Sequence, residues 1–90
     1  MISKNQLDLM QAIADIQAAS SIQMVEDSHL AEETDLEIGF VQYALETLSE
    51  EGYVHLERIE RLAGSGYIVS LLPKGEALLE VINLSKARAR

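Results

Sequence analysis

The chain has 90 residues, 48% of them apolar and 24% charged, which fits one small globular domain with ordinary composition. Fifteen acids against seven Lys and Arg leave a net charge of −8, and there is no cysteine, so disulfides, zinc–thiolate centres and thiol nucleophiles are excluded. The first residues show no basic-then-apolar signal segment, and no apolar stretch nears the roughly 20 residues of a membrane span. The expectation is a single cytoplasmic domain over 1–90, away from any membrane.

In chain order, the spacing of Leu9, Ala12, Ile13, Ile16 and Ala19 predicts a helix from about Lys4 to Ala19. Leu7, Met10 and Ala14 widen its apolar stripe beyond what one core contact requires. Ser20-Ser21 ends it, and Ile22 to Val25 reads as a short strand. Asp27-Ser28 supplies N-cap chemistry for a short helix, Ser28 to Thr34. After a turn at Asp35-Leu36, a longer helix is predicted from Glu37 to Glu51, with Val41, Leu45 and Leu48 inward and Gly52 as its left-handed stop.

Two β-rich runs follow, Tyr53–Leu62 and Tyr67–Leu72, and Ala63-Gly64-Ser65-Gly66 between them predicts a hairpin turn. A last helix runs from Lys74 to about Ser85, with Leu78, Val81, Ile82 and Ser85 on one face. Residues 86–90, which include Lys86, Arg88 and Arg90, read as a frayed basic tail.

The order of elements predicts an α+β fold, and here a resemblance becomes specific. Leu30-Ala31-Glu32-Glu33-Thr34-Asp35-Leu36, then Val41, Ala44-Leu45, Leu48 and Glu51-Gly52-Tyr53-Val54, resembles the helix-turn-helix core of winged-helix regulators. Leu71-Leu72-Pro73-Lys74-Gly75-Glu76-Ala77-Leu78-Leu79 is similar to the strand-to-helix joint of the MarR/PadR-like members. The resemblance implies a winged helix with a two-stranded wing, transcription regulation and DNA binding through the third helix. It also implies homodimers built from the first and last helices, for which Leu7, Met10, Leu79 and Ile82 are the candidates.

The charges pull the other way. From Glu26 to Glu51 there are nine acids and no Lys or Arg, whereas duplex affinity rests largely on neutralised phosphates. On the DNA reading, Gln42 and Tyr43 would meet bases while Arg58, Arg61, Lys86 and Arg88 held phosphates. For Arg58 and Arg61 the competing placement is a solvated strand face with local ion pairs. Ile38, Phe40 and Tyr43 on an acidic surface suggest instead a protein partner, although Phe40 could equally fold beneath the first helix. The expectation from sequence is a regulatory module acting mainly through protein contacts, with weak or absent DNA binding on its own. The alternative is a DNA-binding regulator.

Nothing points to catalysis, a metal or a cofactor. His29 and His55 lack a second histidine at helical spacing, Ser28 is a cap, and Gly64-Ser65-Gly66 joins strands rather than opening a helix as a phosphate loop does.

Overall fold

The computed structural model describes residues 2–21, 24–62 and 64–88, with side chains as far as residue 85. The elements are α1 (Lys4–Ser20), β1 (Val25–Glu26), α2 (Asp27–Thr34), α3 (Ile38–Glu50), β2 (Val54–Arg61), β3 (Gly64–Leu71) and α4 (Pro73–Arg88). They form an α+β winged helix in which an antiparallel sheet of order β1-β3-β2 backs the helices.

Several helix ends have a local cause, whereas α2 and α3 start after Glu26 and Glu37 with no side-chain cap, so the cap expected from Asp27-Ser28 is not formed. Ser3 caps α1 in a capping box: its hydroxyl accepts the Gln6 amide at 3.2 Å while the Gln6 side chain accepts the Ser3 amide at 2.9 Å. Asp35 ends α2 in the left-handed region, φ 57°, which a short polar side chain tolerates. Only Asp35, Leu36 and Glu37 then separate α2 from α3, the tight joint of a helix-turn-helix. Gly52, φ +84°, closes α3 as expected. The Tyr53 amide donates to the Leu48 carbonyl at 3.0 Å and the Gly52 amide to the Ser49 carbonyl at 3.1 Å, the paired bonds of a Schellman stop.

Leu9, Met10 and Ile13 of α1, Leu30 of α2, and Val41, Leu45 and Leu48 of α3 meet Val54 and Val69 of the sheet in a core closed to water. Ala44 joins Val41, Leu45 and Leu48 on the inward face of α3.

Several boundaries and faces differ from expectation. The α3 helix is one residue shorter at each end. The short strand is Val25–Glu26, and Ile22-Gln23 lie outside the described residues. The hairpin is tighter than its glycines suggest: β2 and β3 pair from Val54 with Leu71 out to Arg61 with Gly64, so Gly64, Ser65 and Gly66 belong to β3. The α4 helix begins at Pro73, whose fixed φ and missing N–H suit a first helical position, and continues to Arg88. The expected tail is therefore helical as far as Arg88 and outside the described residues beyond it.

On α4, Leu79 is inward with Leu78 and Ile82 beside it, whereas Val81 and Ser85 face out. The packing of α1 against α4 corrects two dimer candidates. Met10 and Leu79 are consumed by the protein's own core and offer little surface to another chain, while Leu7 and Ile82 stay half-buried at the seam between the two helices.

Candidate nucleic-acid interface

The face of α3 that turns from the core carries Ile38, Phe40 and Tyr43, the last 69% exposed. Phe40 sits over the first turn of α1 and beside the α2–α3 joint, lining shallow depressions with Asn5 and Leu36 on one side and Ser3 and Gln6 on the other. At 41% exposed it covers α1 without being buried beneath it. Thr47, on the same face, spends its hydroxyl on the Tyr43 carbonyl at 3.1 Å. No Lys or Arg lies on α3, and Glu37, Glu46 and Glu50 flank the exposed patch.

Two of the expected DNA-contact residues are engaged inside the protein. Gln42 turns its amide towards α2 and donates to Asp27 Oδ2 at 2.8 Å, so it is not presented to a base edge. Arg61, expected at the wing surface, folds back across β3 and donates through Nη2 to Asp27 Oδ1 at 2.8 Å and to Glu26 Oε1 at 2.9 Å. Its guanidinium lies against Gly66 so closely that a Cβ there would stand 2.0 Å from Nη1. Arg58 is different: it is exposed, and among the described residues it meets Ser65 Oγ at 3.1 Å and Glu60 at 3.6 Å. The side chains of Lys86 and Arg88 lie outside those described.

The residue that sequence reasoning missed is Asp27. It reads as cap chemistry, yet its side chain is fully buried, and it is the one charged residue of the core among those described. Its four donors are the Ser28 amide at 2.8 Å, the Tyr67 amide at 3.2 Å, Gln42 and Arg61. Burial alone pushes this carboxyl up, but the bonds from Gln42, Arg61 and the Tyr67 and Ser28 amides outweigh it and hold the group below 3.8.

A carboxyl depressed on folding contributes stability that is present above its unfolded value and lost as pH falls through the folded one. The gap in melting temperature between the protein and an Asp27→Asn variant is therefore expected to be widest near neutrality and to close as pH drops below 3.8, as read by circular dichroism. A gap that stays constant down to strong acid would contradict this.

A second link joins the wing to α3. The Tyr67 hydroxyl donates to Glu46 Oε2, and that bond, with burial, raises the phenol above its ordinary value. The two histidines are exposed, His29 beside Glu33 at 3.6 Å and His55 beside Glu57 at 3.3 Å, and among the described residues no three potential ligands converge as for a metal. No helix among those residues is long and apolar enough to cross a membrane.

Helix-turn-helix, three-stranded sheet and hairpin together define a winged-helix domain. More narrowly, the fold is MarR-like. Staphylococcus aureus MarR, solved in complex with salicylate and kanamycin, superposes with a TM-score of 0.75 at 19% identity, over 98% of this chain and 54% of that one. Streptococcus pneumoniae FabT, solved in complex with DNA, gives 0.69 at 21% identity, over 98% and 57%. A candidate DNA-binding protein of Ralstonia eutropha gives 0.71 at 16% identity, over 91% of this chain and 98% of that one. The chain thus spans somewhat more than half the length of the MarR and FabT chains. No family model and no curated protein matches it.

Proposed function

We propose that the protein is a winged helix-turn-helix transcription regulator that engages duplex DNA, with α3 towards the major groove and the wing along the backbone. The observation that carries this reading is the complete helix-turn-helix and wing, in the arrangement of a neighbour solved on DNA. The surface chemistry sets its strength. With Gln42 and Arg61 engaged internally and acids on α3, Arg58 is the one described wing cation left to meet a phosphate, so binding is weak. A titration of a mixed-sequence duplex is expected to show binding at low salt that vanishes near about 150 mM. Arg58→Ala should reduce the slope of log K against log salt by about 0.9, the share of one phosphate contact. No binding at low salt would overturn this reading.

The apolar and aromatic patch of Ile38, Phe40 and Tyr43, bordered by Glu37 and Glu46, favours a second use of the same helix: contact with a protein partner. Tyr43→Ala is expected to leave stability within about 0.5 kcal/mol by thermal melting, as for an exposed side chain, while abolishing any association through this face. A larger loss of stability would assign Tyr43 to packing.

Self-association completes the proposal. Leu7 and Ile82 at the α1–α4 seam, with Val81 and Leu84 exposed on α4, form an apolar face suited to a second copy. A dimer mass by light scattering at high micromolar concentration is the expected result, and a monomer there removes the claim. A regulator of this kind works in the cytoplasm, without a cofactor and without catalysis.

A further inference from the structure

We infer that Arg61 is a positioning residue, withheld from any phosphate, which latches the wing to the start of α2 through Asp27 and Glu26. The latch joins five elements. Arg61 lies at the far end of β2, where the two strands of the wing last pair. Its Nη2 reaches two carboxylates at the β1–α2 junction, 2.8 and 2.9 Å away. Asp27 passes the constraint on, accepting the Tyr67 amide of β3 and the Gln42 amide of α3. The Tyr67 hydroxyl then returns to Glu46 on the exposed side of α3. Wing and third helix are thus tied at two points and move as one body.

Three features separate this latch from an ordinary surface ion pair. One partner, Asp27, is fully buried, so solvent and salt screen it little. The bonds to Asp27, then to Glu26, hold Arg61 more firmly in its charged form. Gly66 provides the passage: with no side chain there, the guanidinium lies against the strand, and any Cβ would overlap Nη1 and Cζ. A phosphate competing for Arg61 would have to displace two carboxylates at once, one of them unable to reach water.

Gly66→Ala tests this selectively. The residue is paired within β3 and its backbone is not in the left-handed region, so alanine fits the strand and evicts only the guanidinium. Arg61→Met removes the charge and keeps the apolar stem; Arg61→Lys keeps a charge and a donor. Amide hydrogen exchange followed by NMR reads the latch at the Tyr67 amide, with the Leu9 and Ile13 amides of α1 as an internal reference. Gly66→Ala and Arg61→Met are expected to speed Tyr67 exchange by about tenfold, the scale of one net hydrogen bond, with the α1 amides unchanged. Arg61→Lys should recover most of the protection. Unchanged Tyr67 exchange in both variants, or an increase shared equally by the α1 amides, overturns the latch.

The withholding of Arg61 from phosphate rests on the DNA reading and has its own arm. In the duplex titration, Arg61→Met should keep the wild-type salt slope, whereas a direct phosphate contact would lower it by about 0.9. A lowered slope overturns the inference. A wild-type protein that binds no duplex overturns the DNA reading alone, and the exchange result still decides the latch.

Discussion

Asp27→Asn is expected to destabilise the protein by about 3 kcal/mol, the scale of breaking a buried charged pair and stranding its partners. The reason is geometric. One carboxylate oxygen accepts the Ser28 amide and Arg61, and the other accepts Gln42 and the Tyr67 amide. All four partners donate. Whichever way the asparagine turns, its NH₂ faces a backbone N–H, of Ser28 or of Tyr67, and neither can reverse. Gln42 can flip its own amide to adapt, but a main-chain donor cannot. For a domain of this size the loss corresponds to a fall in melting temperature of about 12–20 °C. A fall of only a degree or two would mean that the four donors do not converge on Asp27.

Gly75→Ala is the second large effect, and its sign runs against propensity. Within a helix, alanine is ordinarily about 1 kcal/mol better than glycine. Gly75 lies in the first turn of α4, where an added Cβ would stand 2.3 Å from the Tyr53 carbonyl oxygen and 3.2 Å from Leu71 Cδ2. The nearest obstacle is main chain, and its oxygen already accepts the Leu72 amide at 3.1 Å. It cannot swing aside like a side chain, so α4 must lift from the α3–β2 corner, at a net cost of about 1–3 kcal/mol or more. Gly39→Ala is the control. Gly39 is also helical, in α3, with no foreign atom within 4 Å of the added Cβ, so the same change should be neutral or stabilising by up to about 1 kcal/mol. Melting both variants decides the matter: if Gly75→Ala melts at or above the wild type, the close approach is not there.

The contrast between these glycines shows what a linear reading can reach. The inward faces of α1 and α3 follow a helical period, and Gly52 ends α3 where a stop was expected, because those features depend on neighbours within one or two turns. Gly75 looks like any other glycine in a helix; its reason is a carbonyl 22 positions earlier in the chain. Asp27 is similar. Next to Ser28 it reads as a cap, whereas its decisive partners are 15, 34 and 40 residues away. Gln42 and Arg61 are candidate DNA contacts by residue type, since their chemistry suits bases and phosphates. That chemistry serves Asp27 equally well, and no local spacing reveals which use is made. Residue type named the candidates; only the fold shows which of them remain available to a duplex.

The corner where α3 ends has a mechanical consequence. The Lys74 ammonium, on the first turn of α4, donates to the Glu51 carbonyl at 2.8 Å and rests 4.5 Å from the centre of the Tyr53 ring. With the Leu72–Tyr53 bond and the bare Gly75, this welds the root of the last helix to the foot of the third. The α4 helix is therefore a lever whose fulcrum is the end of the helix-turn-helix. Rocking it as a rigid rod transmits torque to α3, and tilting it independently requires the rod to bend beyond its first turn.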